Sequence, residues 1–480
     1  IKQNLSPELF WTFAVGEEGW QGGAGEGKDD KAQWLRHEGN PPGCLFLDGS
    51  DFGREDSEPN SWFRREVALP ANAKYLRFQT RGSADGNDGS LRVRLWDGST
   101  WHVLLDWEVM GGKEWRTREA DISRWAGRRV ILSFEQDDDG EGNGEMRYLD
   151  NVEIVAQGVV AGACYYGWYE EGTWNPHPYH PLLGRYSSRD VNVIRKHLEW
   201  ARRADLDFLA YCWDQPNSWQ DVTLKDYFLP VLEDSGLGIR FAIHSGFPGA
   251  TGESMPIDFS EEVEPGLTRG ERLIKDFEYI ARAYFDHPLY LRVSGRPVVF
   301  IYLVRDWRNA SPWLRELRTR MQALGIDPFL VADVVYWGDP ESQDWAMLSE
   351  YFDGIMGYNL FEPDREEMEN YLESVKGRYQ AYAACASAHN LIFVPCPMPG
   401  FDDRNLRGCD RPVLDRRDSE FYRTFLSFSQ DFINPRVPLL LITSFNEWPE
   451  GTAIEPAAEY GYKYLDLTRQ MLRKENSEGR

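Results

Sequence analysis

From residue 158 onward the chain repeats one rhythm: a short apolar run, a longer stretch with apolar residues at helical spacing, then another apolar run. Eight such runs follow in order, at 161–167, 207–213, 239–244, 297–303, 328–335, 353–358, 391–396 and 438–445. Near-continuous apolar character is what parallel strands covered on both faces require. Between the runs, Val191, Ile194, Leu198 and Ala201 recur at helix spacing. So do Leu273, Phe277, Ile280 and Tyr284, and again Leu314, Leu317, Met321 and Leu324 before Gly325 as a stop. Eight strand–helix units in about 320 residues fit a (β/α)8 TIM-like barrel, whose chemistry sits at the C-terminal strand ends. An open doubly wound sheet is the competing arrangement. No Gly-rich phosphate loop follows the first run, which argues against its nucleotide-binding form.

Residues 1–157 have a different grain. Tyr75–Thr80, Leu91–Trp96, Trp101–Trp107 and Val130–Phe134 alternate in polarity and are separated by turn clusters rich in Gly, Asp, Asn and Ser. This predicts an all-β sandwich of jelly-roll type ahead of the α/β domain at 158–480. The pattern resembles the accessory modules that accompany carbohydrate-active enzymes. Such modules often hold a structural calcium, and Asp48, Asp51, Asp150 and Glu153 are the oxygen donors to test for one; solvated strand ends are the other reading. Trp62, Trp96, Trp101, Trp107 and Trp115 serve either the core or an exposed stacking platform for sugar.

Charge excludes several partners. The 53 Lys and Arg against 78 Asp and Glu give a net charge of −25, which repels nucleic acid and anionic membrane surfaces. No apolar run reaches the length of about 18–20 residues that a membrane helix needs. The six cysteines form no CxxC pair and no Cys/His spacing suited to zinc; Cys164, Cys212 and Cys396 lie in apolar runs and are expected to be buried free thiols. The chain begins at Ile1 without Met, which fits either a removed leader or a trimmed chain; a secreted or periplasmic location is favoured and the compartment stays open.

The last apolar run leads into Ser444, Phe445, Asn446, Glu447, Trp448, Pro449, Glu450, Gly451 and Thr452. Two carboxylates three residues apart at a strand exit are what acid/base work on a sugar needs. The other strand ends are rich in aromatic and polar groups: Tyr165, Tyr166, Trp168 and Tyr169; Trp213 and Asp214; His244; Tyr302; Tyr358 and Asn359. Flat rings stack on pyranose faces, and hydroxyl, amide and imidazole groups fix sugar hydroxyls. The candidate pair is Glu447 and Glu450, with Tyr166, Trp168, Trp213, His244, Tyr302, Tyr358, Asn446 and Trp448 around the sugar.

These residues carry a family resemblance. Tyr165–Tyr169, the Gly-Arg-Tyr-Ser-Ser-Arg-Asp segment at Gly184–Asp190, and Ser444–Glu455 resemble glycoside hydrolase family 99, the endo-α-1,2-mannosidases, and the likeness spans 161–470. The resemblance implies a retaining, endo-acting hydrolase of α-linked glycans with no catalytic cofactor. It implies that Glu447 deprotonates the substrate's own 2-hydroxyl, which attacks the anomeric carbon to give a 1,2-anhydro sugar. It further implies that Glu450 protonates the leaving oxygen and then activates water, and that Tyr166, Trp213, His244 and Tyr358 line the sugar subsite. Pro449 stands where the family has His, Ala453 where it has Gln, and the 402–417 loop carries five Arg, at 404, 407, 411, 416 and 417, against Asp402, Asp403, Asp410 and Asp415. That loop is either self-paired or a subsite for an acidic sugar. Two alternatives to a mannan stand beside it: another α-linked or acidic polysaccharide, and a barrel that binds glycan without turnover.

Overall fold

The computed structural model describes residues 9–13, 16–24, 31–39, 42–49, 61–70, 72–82, 90–109, 113–137, 145–156, 158–246, 256–435 and 437–473. The chain divides into two compact units, Ile1–Gln157 and Gly158–Arg480.

The first unit is built from β1 (Phe10–Trp11), β2 (Gln21–Ala24), β3 (Lys31–Leu35), β4 (Cys44–Gly49), β5 (Ser61–Ala68), β6 (Ala73–Arg81), β7 (Ser90–Trp96), β8 (Trp101–Val109), β9 (Arg116–Asp121), β10 (Arg129–Asp137) and β11 (Glu145–Ala156). One sheet runs β3-β4-β11-β6-β9 with β1 on β11, the other β2-β5-β10-β7-β8. Period-2 patterning decides the faces: Phe63, Val93, Leu132 and Phe134 point into a core shared with Leu76, Phe78, Leu149 and Ile154.

On the opposite face of the second sheet, the fully buried Glu135 carboxylate is ringed by Arg64, Arg92 and Arg94 at 3.6, 2.9 and 2.7 Å. Ser133 Oγ donates to it at 2.7 Å. The Arg64 guanidinium lies 4.3 Å over Trp62 and 5.2 Å from Trp101, which Arg94 covers at 4.8 Å. Trp62 lies so close across Gly23 that a Cβ there would come within 2.1 Å of the ring. Trp62, Trp96 and Trp101 are thus half-buried members of an arginine–tryptophan ladder, between the two roles the sequence offers. Of the four calcium candidates, Asp48 is buried 3.9 Å from Lys31 Nζ, Asp150 accepts from Asn151 N, and Glu153 pairs with Arg77 at 3.3 Å. Asp51 lies outside the described residues. Among the described residues no group of three or more His, Cys, Asp or Glu is placed to hold a metal ion.

The second unit contains eight parallel strands: β12 (Val160–Tyr165), β13 (Phe208–Cys212), β14 (Arg240–Ser245), β15 (Arg296–Ile301), β16 (Phe329–Asp333), β17 (Gly354–Met356), β18 (Ile392–Val394) and β19 (Leu439–Ile442). Each overlaps one of the eight apolar runs. The ladder order is β18-β17-β16-β15-β14-β13-β12-β19, so the last strand pairs with the first. Main-chain bonds from Leu441 N to Pro395 O (3.1 Å) and Thr443 N to Pro397 O (2.9 Å) draw the two ends together into a nearly closed barrel. The helices expected from periodicity are present, among them α1 (Val191–Arg203), α2 (Arg269–Ile280) and α3 (Ser311–Ala323). Gly325, beyond the last, has φ +72°.

All six cysteines are free; Cys164 and Cys396 are buried, while Cys212 keeps partial exposure. Among the described residues no helix is long and apolar enough to cross a membrane.

Candidate active site

At the C-terminal ends of the strands lies a cavity of ≈ 380 Å³. Its wall includes Tyr166 and Trp168 after β12, Trp213 and Asp214 after β13, His244 and Ser245 on β14, Tyr302 after β15, Tyr358 after β17, and Glu447 and Glu450 after β19. Both carboxylates and six of the eight predicted sugar-contacting residues therefore meet in one space. Asn175, Gln220, Leu406, Arg407 and Pro449 complete much of the rest.

The loop carrying the two acids is held by its own main chain and by β12. Glu447 N donates to Ser444 Oγ (2.7 Å), Ser444 N to Thr452 O (3.1 Å), and Phe445 N to Cys164 O (2.8 Å). At Gly451, φ is +64°, and a Cβ would press on Pro178 and on Asp402 backbone at 3.0–3.2 Å, so this turn needs glycine.

Asn446 and Trp448, expected among the sugar contacts, are placed behind the wall. Asn446 exchanges two hydrogen bonds with the Tyr166 main chain, accepting from its N at 2.7 Å and donating to its O at 3.0 Å. Trp448 Nε1 donates to Glu455 at 3.0 Å, a carboxylate that also accepts from Tyr186 OH (2.8 Å) and meets His197 Nε2 at 3.1 Å. The residues on either side of Glu447 are thus drawn to partners behind the wall while Glu447 faces the cavity. The Gly184–Asp190 motif serves the same scaffold: Tyr186 reaches Glu455, Ser188 Oγ accepts from Tyr169 N (3.1 Å), and Asp190 caps α1 through Asn192 N (2.8 Å).

Several polar atoms facing this region have no protein partner. Among the described residues, Glu447 Oε2, Glu450 Oε2 and both ring nitrogens of His244 are buried without a hydrogen bond. Buried polar atoms are nearly always satisfied, so a cluster of exceptions in one cavity is a set of sockets for a polar ligand. Burial drives the His244 pKa down to about 4, which leaves a neutral ring able to donate from one nitrogen and accept at the other. Burial, followed by the Glu450 charge, pushes the Glu447 carboxyl well above the ordinary glutamate range. Burial also raises Glu450, against the opposing pull of Arg407, whose two Nη atoms stand 3.2 Å from Glu450 Oε1. Trp213 is fixed by Asp221 (2.8 Å), and the Tyr166 and Tyr358 hydroxyls hydrogen-bond each other.

The sequence profile of glycosyl hydrolase family 99 matches residues 175–473. The chain belongs to this family. The rat glycoprotein endo-alpha-1,2-mannosidase is 26% identical over 332 residues, 62% of this chain and 64% of the rat protein. A human glycoprotein endo-alpha-1,2-mannosidase-like protein is 25% identical over 290 residues, 58% of this chain and 57% of that one. The chain thus matches less than two thirds of these relatives' length. In fold it is similar to the GH99 endo-alpha-mannosidase of Bacteroides thetaiotaomicron, with a TM-score of 0.50 and 21% identity over 66% of this chain and 98% of that one. A glycoside hydrolase-like protein superposes with a TM-score of 0.56 at 18% identity, covering 66% and 95%.

Sequence reasoning missed Asn175, on an irregular segment, and Gln220, in the short helix Trp219–Thr223; neither carries a local pattern that marks it. Arg407 was visible only as one charge among many in its loop.

Proposed function

We propose that this family 99 chain is a retaining, endo-acting glycoside hydrolase that cleaves α-linked glycan through the substrate's own 2-hydroxyl. Glu447 takes the proton of that hydroxyl, O2 attacks the anomeric carbon, and the glycosidic oxygen leaves with a proton from Glu450. Glu450 then takes a proton from water, the resulting hydroxide opens the 1,2-anhydro ring at the anomeric carbon, and O2 recovers its proton from Glu447. Two inversions at one carbon give net retention. The attack requires O2 and the leaving oxygen on opposite ring faces, as in an α-mannoside. The endo-alpha-1,2-mannosidases to which the chain is similar support that configuration.

The observation that carries this reading is the pair of buried, unpartnered carboxylate oxygens on Glu447 and Glu450, in one cavity with a neutral His244. A site evolved only to bind neutral sugar gains nothing from two adjacent acids whose burial shifts both upward. Product analysis by NMR on a panel of α-mannans, α-glucans and acidic polysaccharides tests it. Release of the α-anomer from one polymer, lost in Glu450→Gln, is expected. A first product of β configuration, or turnover that survives the substitution, sinks the mechanism.

A further inference from the structure

The charges of the 402–416 loop are mostly closed on themselves. Arg404 pairs with Asp402 at 2.8 Å, Arg411 with Asp403 at 2.8 Å, and Arg416 donates to the carbonyls of Gly451 and Ala453 at 2.8 Å. Arg407 differs from these. It lines the cavity, holds the fully buried Asp403 at 2.9 Å and reaches Glu450, while its side chain stays 47% exposed.

This contact is in the wrong place for the chemistry. A guanidinium beside Glu450 favours the carboxylate there and leaves the shared proton with Glu447, yet cleavage needs the proton on Glu450 and the charge on Glu447. Charge counting shows what would reverse it. With Glu450 ionised, Arg407 and Arg411 face two carboxylates, Asp403 and Glu450, and the cluster is neutral. With Glu450 in its acid form, two guanidiniums face one carboxylate, and the half-exposed Arg407 lacks a second protein counterion. Moving a proton from Glu447 to Glu450 therefore calls for an anion to take Glu450's place on Arg407.

We propose that Arg407 is the subsite for a carboxylate on the substrate: a uronate-type group draws the guanidinium off Glu450 and thereby arms the acid–base pair. The inference rests on the reading of Glu447 and Glu450 as that pair. No atom is gained or lost apart from the proton that passes from Glu447 to Glu450. A carboxylate is the fitting anion because Arg407 already holds two of them, one through Asp403 and one through Glu450. The net charge of −25 opposes a polyanion at long range. Salt screens that field within about 8 Å at physiological ionic strength, whereas the cavity contact is direct.

Calorimetric titration of the Glu447→Gln protein tests the docking of the carboxylate on Arg407. This variant is expected to bind without turnover, and in it Glu450 must draw its proton from solvent because residue 447 no longer supplies one. The probes are α-1,2-mannotetraose and the same oligosaccharide oxidised at C6 to carboxylates. The oxidised form is expected to bind about tenfold more tightly, the worth of one charge-assisted hydrogen bond. That preference should vanish when Arg407→Met is added. Equal or weaker binding of the oxidised probe overturns the proposal, as does a preference that survives Arg407→Met or an absence of binding by both probes. Should the double variant melt early, the ratio in the Glu447→Gln protein alone decides. Wild-type product formation from the neutral probe is read separately: cleavage without charge preference keeps the hydrolase and removes Arg407's role, whereas preference without cleavage of either probe removes the hydrolase.

Discussion

Among the described residues each unit holds a cluster of tryptophan, arginine and buried acid, and the two differ in how completely they are satisfied. In the sandwich, Glu135 has three arginines and a serine, and the faces of Trp62 and Trp101 lie under guanidiniums. In the barrel, Glu447, Glu450 and His244 keep buried polar atoms without partners. The same residue types thus make a brace in one place and a candidate binding site in the other. What separates them is the unfilled hydrogen-bonding capacity, because a finished network gains little from a ligand and an unfinished one gains much.

The largest test of this contrast is in the barrel. Glu447→Gln and Glu450→Gln are each expected to lower kcat by about 10²–10⁴, the usual span for a lost general acid or base, with little change in melting temperature. Neutralising Glu447, whose Oε2 lacks a partner, relieves repulsion between the acids, while at Glu450 the lost Arg407 contact offsets part of that relief. Glu135→Gln should do the opposite. Three guanidiniums lose their common counterion, so denaturant titration should show a loss of about 3 kcal/mol with kcat on the same glycan intact. Were Glu135→Gln neutral for stability, the ladder would be decoration and its arginines open to another use.

A smaller effect sharpens the roles within the pair. Arg407 holds the Glu450 carboxyl down, so Arg407→Met raises it further above the ordinary range. If Glu450 acts protonated, activity is lost as pH rises through its pKa, and the alkaline limb of the kcat/KM profile moves to higher pH. Movement of the acid limb instead would exchange the assignments of Glu447 and Glu450. The smallest expected effect comes from chelation, which separates the two readings of Asp48, Asp51, Asp150 and Glu153. A melting temperature that falls in EDTA and recovers with calcium establishes the ion. An unchanged curve leaves only strand-end carboxylates.

The barrel was legible because each buried strand announces itself as an apolar run, and helices such as α1 repeat their apolar face every third or fourth residue. The acid pair was legible because Glu447 and Glu450 lie within one short motif. The facing of Asn446 and Trp448 was not, because it depends on partners such as Tyr166 and Glu455, 280 residues upstream and seven downstream respectively. Arg407 shows the same limit. Its loop looks uniformly charged in sequence, and only the fold shows which arginine reaches Glu450.

Closure of the barrel by its last strand fixes when the site comes into being. Val160–Ala163 pair with Leu439–Ile442, so the first strand waits for its neighbour until almost all of this unit has been made. A contact across that separation bears a large loop-closure cost and forms late. The acids follow directly after that strand. On a growing polypeptide the aromatic wall can assemble early, but the cavity acquires Glu447 and Glu450 only as the ring shuts, so the proposed acid–base pair and completion of the barrel arrive as a single event.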